Sequence, residues 1–294
     1  MGVSYAAPAS LSEALVFLAE HGSDSSILAG GMSVVPALKT GRLTPKFIVN
    51  IKGIGGPSAP LLDAANAQLT IGALVRHREI ETSPVVAEHL PALRALEERL
   101  ASVQIRNHGT LAGNLCAAEP WSDPPCLLAA LDATLVVVDG RGERRVSAAD
   151  WILGEGDTLR RPTELLLRID VPLPTANVGI GHARVAAREG LARPLACAAA
   201  RITLSESGTV KSARVFVGAV GARPQRMTEV EAMLVGHQQI DDLSADIEHA
   251  VARIIELHPD ERCSARYKTQ VAGVLARRAA ADAIAHANRR ITAP

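Results

Sequence analysis

Near the start of the chain, apolar residues recur at helical intervals over residues 11–20, and Ser10 precedes them as a helix cap. The short apolar runs at residues 26–29 and 47–51 have the length of strands, and a second helical pattern lies between them at residues 34–40. Strands and helices alternate within this short segment. The pattern therefore predicts a small α/β lobe.

The middle of the chain is richer in strand patterns. Residues 68–73, 135–138 and 165–172 alternate or run apolar, and the last of these ends at a proline, which cannot donate a main-chain hydrogen bond to a sheet. Between the first two strands, leucines at helical spacing predict one helix that extends from Leu90 to Val103 and packs one face inward. This part is expected to be a strand-rich lobe.

The last third of the chain predicts a sheet followed by helices. Residues 198–204 and 210–217 are apolar on either side of the turn Ser207-Gly208, which is the pattern of a β-hairpin. Helical periodicity then returns at residues 228–234, 240–258 and 267–287. We therefore expect an α+β unit at this end.

Two stretches interrupt these patterns and divide the chain. Glycine, proline and serine crowd residues 53–60, and Pro172-Leu173-Pro174 forms a second interruption. A chain of 294 residues is also longer than one small domain. We predict three parts, at residues 1–56, 57–176 and 177–294.

Composition excludes several classes of protein. Lys and Arg together number 31 and Asp and Glu also number 31, so no net charge attracts nucleic acid, and we expect no nucleic-acid partner. Aromatic residues make up 2%, so main-chain contacts are expected to dominate any ligand site. The chain has neither a long uncharged apolar run nor a basic segment followed by an apolar one at its start. We expect no membrane insertion and a cytoplasmic location.

Side-chain motifs for catalysis or metal binding are missing from the sequence. The four cysteines include no C-x-x-C pair, and the nine histidines, among them His77, His89 and His108, stand isolated. No G-x-x-x-x-G-K-[ST], H-E-x-x-H or G-x-S-x-G motif occurs, and no G-x-G-x-x-G follows a predicted strand. We therefore expect no catalytic residue and no metal ligand.

Two glycine-containing loops are the candidates for ligand binding. Ala29-Gly30-Gly31-Met32-Ser33-Val34 follows a predicted strand and leads into a helix, so its N–H groups are placed to form an anion cradle. Residues 106–115 form a second turn, with donors at Thr110 and Asn114, and a carboxylate follows at Asp123. Taken singly, each loop is more typical of an ordinary tight turn in which glycine supplies a positive φ. A diphosphate that bridges both loops is the alternative.

These loops belong to an ordered series of motifs that extends over nearly the whole chain. The series comprises residues 28–36, 69–73, 104–115, 122–125, 164–166, 218–220, Pro224, Arg226 and residues 264–268. In this order and at these separations, the chain resembles the FAD-binding medium subunit of the molybdenum hydroxylases, the group of xanthine dehydrogenase and carbon-monoxide dehydrogenase.

The resemblance implies a PCMH-type FAD-binding fold of the α+β class. Two α/β lobes would hold FAD between them, and a C-terminal α+β domain, an antiparallel sheet with helices, would follow. Both glycine loops would contact the FAD diphosphate, and the flavin would lie near a strand and three further side chains. The FAD-binding residues implied are Ala29, Gly30, Gly31, Met32, Ser33, Val34, Ile71, Gly72, Ala73, Thr110, Leu111, Ala112, Gly113, Asn114, Asp123, Leu166 and Arg184.

Three of these positions depart from the pattern of the family. Met32 stands where relatives often carry His or Thr, Ala112 replaces the first glycine of a Gly-Gly pair, and Arg184 replaces Lys. In related covalent flavin oxidases, a histidine at the position of Met32 bonds to the flavin, and a thioether does not replace it in that role. We therefore expect non-covalent FAD. The methyl group of Ala112 is expected either to loosen the grip on the diphosphate or to shift it.

The resemblance also implies a function in electron transfer. In that family, a molybdopterin centre on a large subunit hydroxylates the substrate, and electrons pass through two [2Fe–2S] clusters on a small subunit to the FAD. The implied partners are therefore an iron–sulfur small subunit and a molybdopterin large subunit. Two alternatives stay open: a stand-alone flavin oxidoreductase of the same fold, and a structural subunit that has lost FAD. The organic substrate, the electron acceptor and the stoichiometry of the complex do not follow from this chain.

Overall fold

A computed structural model describes residues 2–188 and 192–292. The first sheet has three parallel strands in the order β1-β3-β2, and Ser10 caps its first helix by accepting from the Glu13 N–H at 3.2 Å. The elements are β1 (Ser4–Ala6), α1 (Leu11–His21), β2 (Ser25–Leu28), α2 (Val34–Lys39) and β3 (Phe47–Asn50). The α/β pattern predicted for this segment is confirmed.

The second sheet has five antiparallel strands in the order β4-β5-β10-β6-β7, and most helices of this lobe connect its second and third strands along the chain. Its strands are β4 (Leu61–Asp63), β5 (Gln68–Gly72), β6 (Thr134–Asp139), β7 (Gly142–Ser147) and β10 (Leu165–Pro172), with the small hairpin β8 (Ile152–Gly154) and β9 (Asp157–Thr158) beside them. Its helices are α3 (His77–Glu81), α4 (Pro84–His89), α5 (Pro91–Glu98), α6 (Val103–Arg106), α7 (Leu111–Ala117) and α8 (Pro124–Ala130).

The single helix predicted from Leu90 to Val103 is wrong. The structure has α5 and α6 instead, because Ala101 adopts a left-handed conformation with φ of 47° between them. An α-helix cannot continue through such a residue. The apolar series Leu90, Leu93, Leu96, Leu100 and Val103 keeps helical spacing across the break, which explains why its periodicity did not reveal the break.

The third sheet is antiparallel, in the order β11-β12-β13-β14, and packs against the long helix α11. Gly179 and Gly181 allow this close packing, because a Cβ at either position would collide with a main-chain oxygen of α11. The helix predicted over residues 240–258 is shorter than expected and begins after a 3₁₀ turn at Asp241–Leu243. The elements are β11 (Val178–Ala186), β12 (Pro194–Leu204), β13 (Val210–Gly218), β14 (Gln225–Arg226), α9 (Thr228–Leu234), α10 (Ser244–Ile254) and α11 (Ala265–Thr292).

Each sheet has a hydrophobic core, and the first core is shared between lobes. Val138 of β6 and Leu165 of β10 pack with α1 and β3 of the first lobe. The domain limits predicted at residues 56 and 176 stay predictions, and the predicted outer limits, residues 1 and 294, lie outside the described residues. Among the helices of the described chain, none is both long and apolar enough to cross a membrane.

Candidate functional site

The first glycine loop, residues 29–34, leads from β2 into α2. Gly31 has a left-handed φ of 80°, and its carbonyl accepts from the Val35 N–H at 3.0 Å, which closes the turn. Among the described residues, no acceptor pairs with the main-chain N–H groups of residues 30–33. The loop is partly exposed. Consecutive unpaired N–H groups of this kind bind anions, so the loop can serve as a phosphate cradle.

The second glycine loop, residues 106–115, contacts the first one directly. A Cβ at Gly30 would collide with the carbonyl oxygen of His108 and would lie 2.8 Å from the Cα of Gly109. Met32 also approaches, since its Cγ would lie 3.5 Å from a Cβ at Gly109. The structure therefore brings the two predicted halves of the diphosphate site together across the boundary between the lobes.

Thr110 organises the second glycine loop as the N-cap of α7. Its Oγ1 accepts from the Gly113 N–H at 3.0 Å, and its carbonyl accepts from the Asn114 N–H at 3.0 Å. The N–H of Gly113, a residue predicted to contact the diphosphate, is therefore already bonded within the loop. Leu111 is fully buried and Ala112 is 4% exposed, so both side chains belong to the core of the middle lobe. Contacts of these two residues with a ligand would come from their main chain.

Arg106 fixes the bend that precedes the second glycine loop. Its guanidinium lies 2.7 Å from the carboxylate of Glu81 and donates to the carbonyls of Leu100 and Ala101 at 3.0 Å each. Both charged side chains are 11% exposed. The left-handed break between α5 and α6 is thus stabilised by a largely buried cation that also belongs to the family motif.

His77 supports the same loop and is not isolated in space. Its Nδ1 lies 2.8 Å from Oε2 of Glu97, and its main-chain N–H donates to the Gly109 carbonyl at 3.0 Å. This pair could not be predicted from the sequence, because the two residues are on different helices and neither belongs to a recognisable motif. His77 and Glu97 are therefore candidate functional residues that the sequence analysis missed.

Asp123 and Arg184, both predicted to bind FAD, form a buried ion pair. The guanidinium of Arg184 lies 2.8 Å from Oδ2 of Asp123. Burial raises the pKa of the Asp123 carboxyl to about 6, although the Arg184 charge opposes this shift. The other oxygen, Oδ1, is buried and has no hydrogen-bond partner among the described residues. A bound ligand with a hydroxyl or N–H group would satisfy it.

His182 lies beside this ion pair and was also missed. Atoms of Asp123, His182 and Cys197 that could bind a metal lie within 4.8 Å of one another. Burial lowers the pKa of His182 to about 3, and Arg184 acts in the same direction, so the imidazole is neutral. Arg184 already neutralises Asp123, and its positive charge disfavours a metal cation at this place.

The predicted flavin contacts on β5 and β10 are neighbours in the second sheet. Gly72 is paired with Arg168, and the Ala73 N–H donates to the carbonyl of Leu167 at 2.9 Å, beside a bulge in β10. Ile71 is fully buried and Leu166 is 5% exposed, so both side chains are core residues. Their contact with FAD stays a prediction.

A recess of about 380 Å³ opens beside Trp121, close in sequence to Asp123. The guanidinium of Arg193 lies 4.5 Å from the centre of the Trp121 ring. Lys268, only 5% exposed, lies 2.8 Å from Asp260, and both residues line the recess. The charges of Asp260 and Lys268 are thus paired within the protein.

Comparisons with known proteins agree over nearly the full length. Residues 1–174 match the FAD binding domain in molybdopterin dehydrogenase, and residues 182–283 match the CO dehydrogenase flavoprotein C-terminal domain. The caffeine dehydrogenase subunit beta of Pseudomonas sp. (strain CBB1) is 32% identical, with 96% of each chain covered. The carbon monoxide dehydrogenase medium chain of Afipia carboxidovorans is 32% identical, covering 96% of this chain and 97% of that one.

Solved structures show the same similarity in three dimensions. The Cu,Mo-CO dehydrogenase in its cyanide-inactivated form matches with a TM-score of 0.90 and 30% identity, covering 97% of this chain and 98% of the other. Quinoline 2-oxidoreductase from Pseudomonas putida 86 matches with a TM-score of 0.89 and 29% identity, covering 99% of each chain.

The fold and the paired glycine loops define a class, the FAD-binding medium subunits of molybdenum hydroxylases, which are oxidoreductase components. The chain belongs to the family of the FAD binding domain in molybdopterin dehydrogenase. The predicted family, the PCMH-type fold class and the FAD cofactor are thereby confirmed.

Proposed function

We propose that this chain is the electron-transfer subunit of a heterotrimeric molybdenum hydroxylase. It would receive electrons from [2Fe–2S] clusters on a partner subunit and pass them to an external acceptor. The observation that carries the proposal is the contact of Gly30 with the main chain of His108 and Gly109, which joins two glycine loops from different lobes. Because the family binds FAD, we propose this junction as the place of the FAD diphosphate.

The residues at this junction fit FAD on two structural grounds. The main-chain N–H groups of residues 30–33 have no acceptor among the described residues and match the negative oxygens of a diphosphate. Oδ1 of Asp123 is a buried acceptor without a partner and matches a polar hydrogen of the cofactor. We assign FAD binding to residues 29–34, 71–73 and 110–114 and to Asp123, Leu166 and Arg184.

Within this proposal the protein binds and orients, and the cofactor carries the redox chemistry. Bound FAD supplies the ability to accept electrons singly and to release them singly or in pairs. The first glycine loop would hold the diphosphate through its N–H groups, while Thr110 keeps the start of α7 in place. Arg184 and Asp123 fix each other through their ion pair, which would hold the unpartnered Oδ1 of Asp123 in place for a hydrogen bond from the cofactor.

The partners are proposed from the names of relatives. Those names include a medium chain and a subunit beta, which describe components of larger assemblies. One matching structure is a carbon monoxide dehydrogenase that lacks the Mo-pyranopterin moiety of its molybdenum cofactor. We propose an iron–sulfur small subunit and a molybdopterin large subunit as the partners of this chain, in the cytoplasm.

The cofactor part of the proposal is tested on the purified full-length chain. We expect yellow protein that releases FAD into the supernatant after acid precipitation, because Met32 provides no covalent link. Gly30→Ala should weaken FAD binding by about tenfold or more, because its methyl group forces the two loops apart. Gly140→Ala is the matched control, since nothing lies within 4 Å of a Cβ there. A colourless chain that takes up no FAD would favour the structural alternative.

The electron-transfer part is tested with the partner chains. FAD-loaded protein mixed with the reduced iron–sulfur subunit should lose its flavin absorbance, and addition of an acceptor should restore it. The loaded chain alone should turn over none of the organic substrates of its relatives. Turnover by the isolated chain would instead support a stand-alone flavin oxidoreductase.

A further inference from the structure

His77 and Glu97 form a buried pair that joins two helices of the middle lobe. His77 begins α3, Glu97 lies on α5, and Nδ1 of the histidine is 2.8 Å from Oε2 of the glutamate. The side chains are 4% and 0% exposed. Neither residue belongs to the set assigned to FAD above.

This pair contacts the second glycine loop through the imidazole ring and the main chain of His77. The His77 N–H donates to the Gly109 carbonyl at 3.0 Å, and Cδ2 of the ring would lie 3.2 Å from a Cβ at Gly109. Gly109 in turn touches Gly30. A continuous set of contacts therefore runs from Glu97 through His77 and Gly109 to the first glycine loop.

Burial of a polar pair at this position costs free energy of desolvation, and packing alone does not explain why polar side chains are found there. Glu97 is wholly buried, and its second oxygen, Oε1, has no hydrogen-bond partner among the described residues. Two apolar side chains of similar volume would fill the space without desolvating a carboxylate. The polar pair instead fixes an orientation, because the hydrogen bond between Nδ1 and Oε2 holds the plane of the imidazole against Gly109.

We propose that His77, oriented by Glu97, is a positioning residue for FAD binding. It sets the position of Gly109, and hence the separation of the two glycine loops at the diphosphate. This inference rests on the proposed FAD function and assigns a role to residues that do not touch the cofactor. At metal sites, removal of groups that orient the ligands typically weakens affinity by about 10–100-fold, and we expect an effect of similar size on FAD binding.

The test measures the dissociation constant of FAD for the full-length chain by fluorescence titration. His77→Phe/Glu97→Leu replaces the pair by apolar side chains and should weaken FAD binding by about tenfold or more while the protein stays folded. Glu97→Leu should have a similar effect. Glu97→Gln keeps an acceptor for the Nδ1 hydrogen and should bind FAD nearly as well as the unmodified chain. Circular dichroism and denaturant unfolding report folding independently.

A control pair separates positioning from a general loss of stability. Arg144 and Glu164 also form an ion pair in the middle lobe, and their other partners, Leu159 and Arg161, lie outside both glycine loops. Arg144→Leu/Glu164→Leu should leave the FAD dissociation constant unchanged.

Four outcomes decide between the possibilities. Folded double and Glu97→Leu variants that bind FAD as tightly as the unmodified chain would overturn the positioning role, and so would a Glu97→Gln variant as weak as Glu97→Leu. If both apolar variants fail to fold, His77→Asn decides, because it keeps a donor but removes the ring from Gly109; unchanged affinity would overturn the role. An unmodified chain that binds no FAD would contradict the proposed function itself.

Discussion

The guanidinium of Arg184 lies 2.8 Å from the carboxylate of Asp123, and the two side chains are 5% and 2% exposed. Arg184 also donates to the main-chain oxygens of Arg99 and Ala192, at 2.9 Å and 3.1 Å. One buried cation thus connects the middle lobe, where Asp123 precedes α8, with the third sheet, which carries Arg184 on β11.

Removal of this cation should destabilise the protein strongly. Arg184→Met leaves Asp123 buried without its counter-ion, and the free energy of unfolding should fall by about 3–5 kcal/mol. Denaturant unfolding measures the change. Arg94→Ala is the control, because Arg94 pairs with Glu98 on an exposed helix surface, where the expected change is within about 0.5 kcal/mol. Equal stability of the two variants would show that the buried pair does not connect the lobes.

The carboxyl group of Asp123 should give stability a specific pH dependence. Its pKa is about 6 in the folded protein, whereas 3.8 is the value for an unperturbed side chain. Between these values the folded state holds the proton and the unfolded state has released it. The unfolding free energy should therefore fall as pH rises through this window, by about 3 kcal/mol for this group.

Asp123→Asn isolates this effect, because the amide does not titrate. The unfolding free energies of the unmodified chain and of the variant are measured from about pH 4 to pH 7. As pH rises, the unfolding free energy of the unmodified chain should fall relative to that of the variant. A difference that stays constant across the window would show that the folded carboxyl ionises near its ordinary pKa.

Ala112→Gly should not tighten FAD binding. Ala112 is 4% exposed and packs in the core of the middle lobe, so its methyl group does not face the proposed diphosphate site. Glycine in α7 should instead lower the free energy of unfolding by about 1 kcal/mol. Paired FAD titration and thermal unfolding check both effects. A tighter complex would instead support the earlier expectation that this methyl group loosens the diphosphate grip.

Gly179→Ala should disrupt the packing of α11 on the third sheet. A Cβ there would collide with the Ala283 carbonyl oxygen and would lie 2.5 Å from the Ala287 nitrogen. We expect the free energy of unfolding to fall by about 1–3 kcal/mol. Gly140→Ala, in open space, should change it by less than about 0.5 kcal/mol. A comparable effect of both substitutions would indicate that α11 shifts to accommodate the methyl group.

Hydrophobic periodicity predicted several of the regular elements. The predicted bounds of β10 and α9 match the structure, because the strand is apolar up to a proline and the helix has clear periodicity. The break between α5 and α6 was not predicted, since it depends on a left-handed Ala101 and on the tertiary contacts of Arg106. The pattern of residue types does not indicate a backbone conformation that tertiary contacts determine.

The candidate site likewise contains features that could be predicted from the sequence and features that could not. The glycine loops were predicted because main-chain chemistry leaves a local signature of small residues. The pairing of His77 with Glu97 and the place of His182 beside Asp123 depend on which helices and strands become neighbours. The structure brings these side chains together from distant parts of the sequence, and no spacing rule connects them.

The first lobe has few fully buried side chains of its own, and they pack with Val138 and Leu165 from the neighbouring lobe. Swinging the lobes apart would therefore expose this common apolar surface to water. Cofactor exchange should proceed instead by local fluctuation of the glycine loops, and a fragment ending at residue 56 should not fold by itself. Loss of the nucleotide and loss of the native lobe arrangement are thus expected to be separate kinetic events, the first faster than the second.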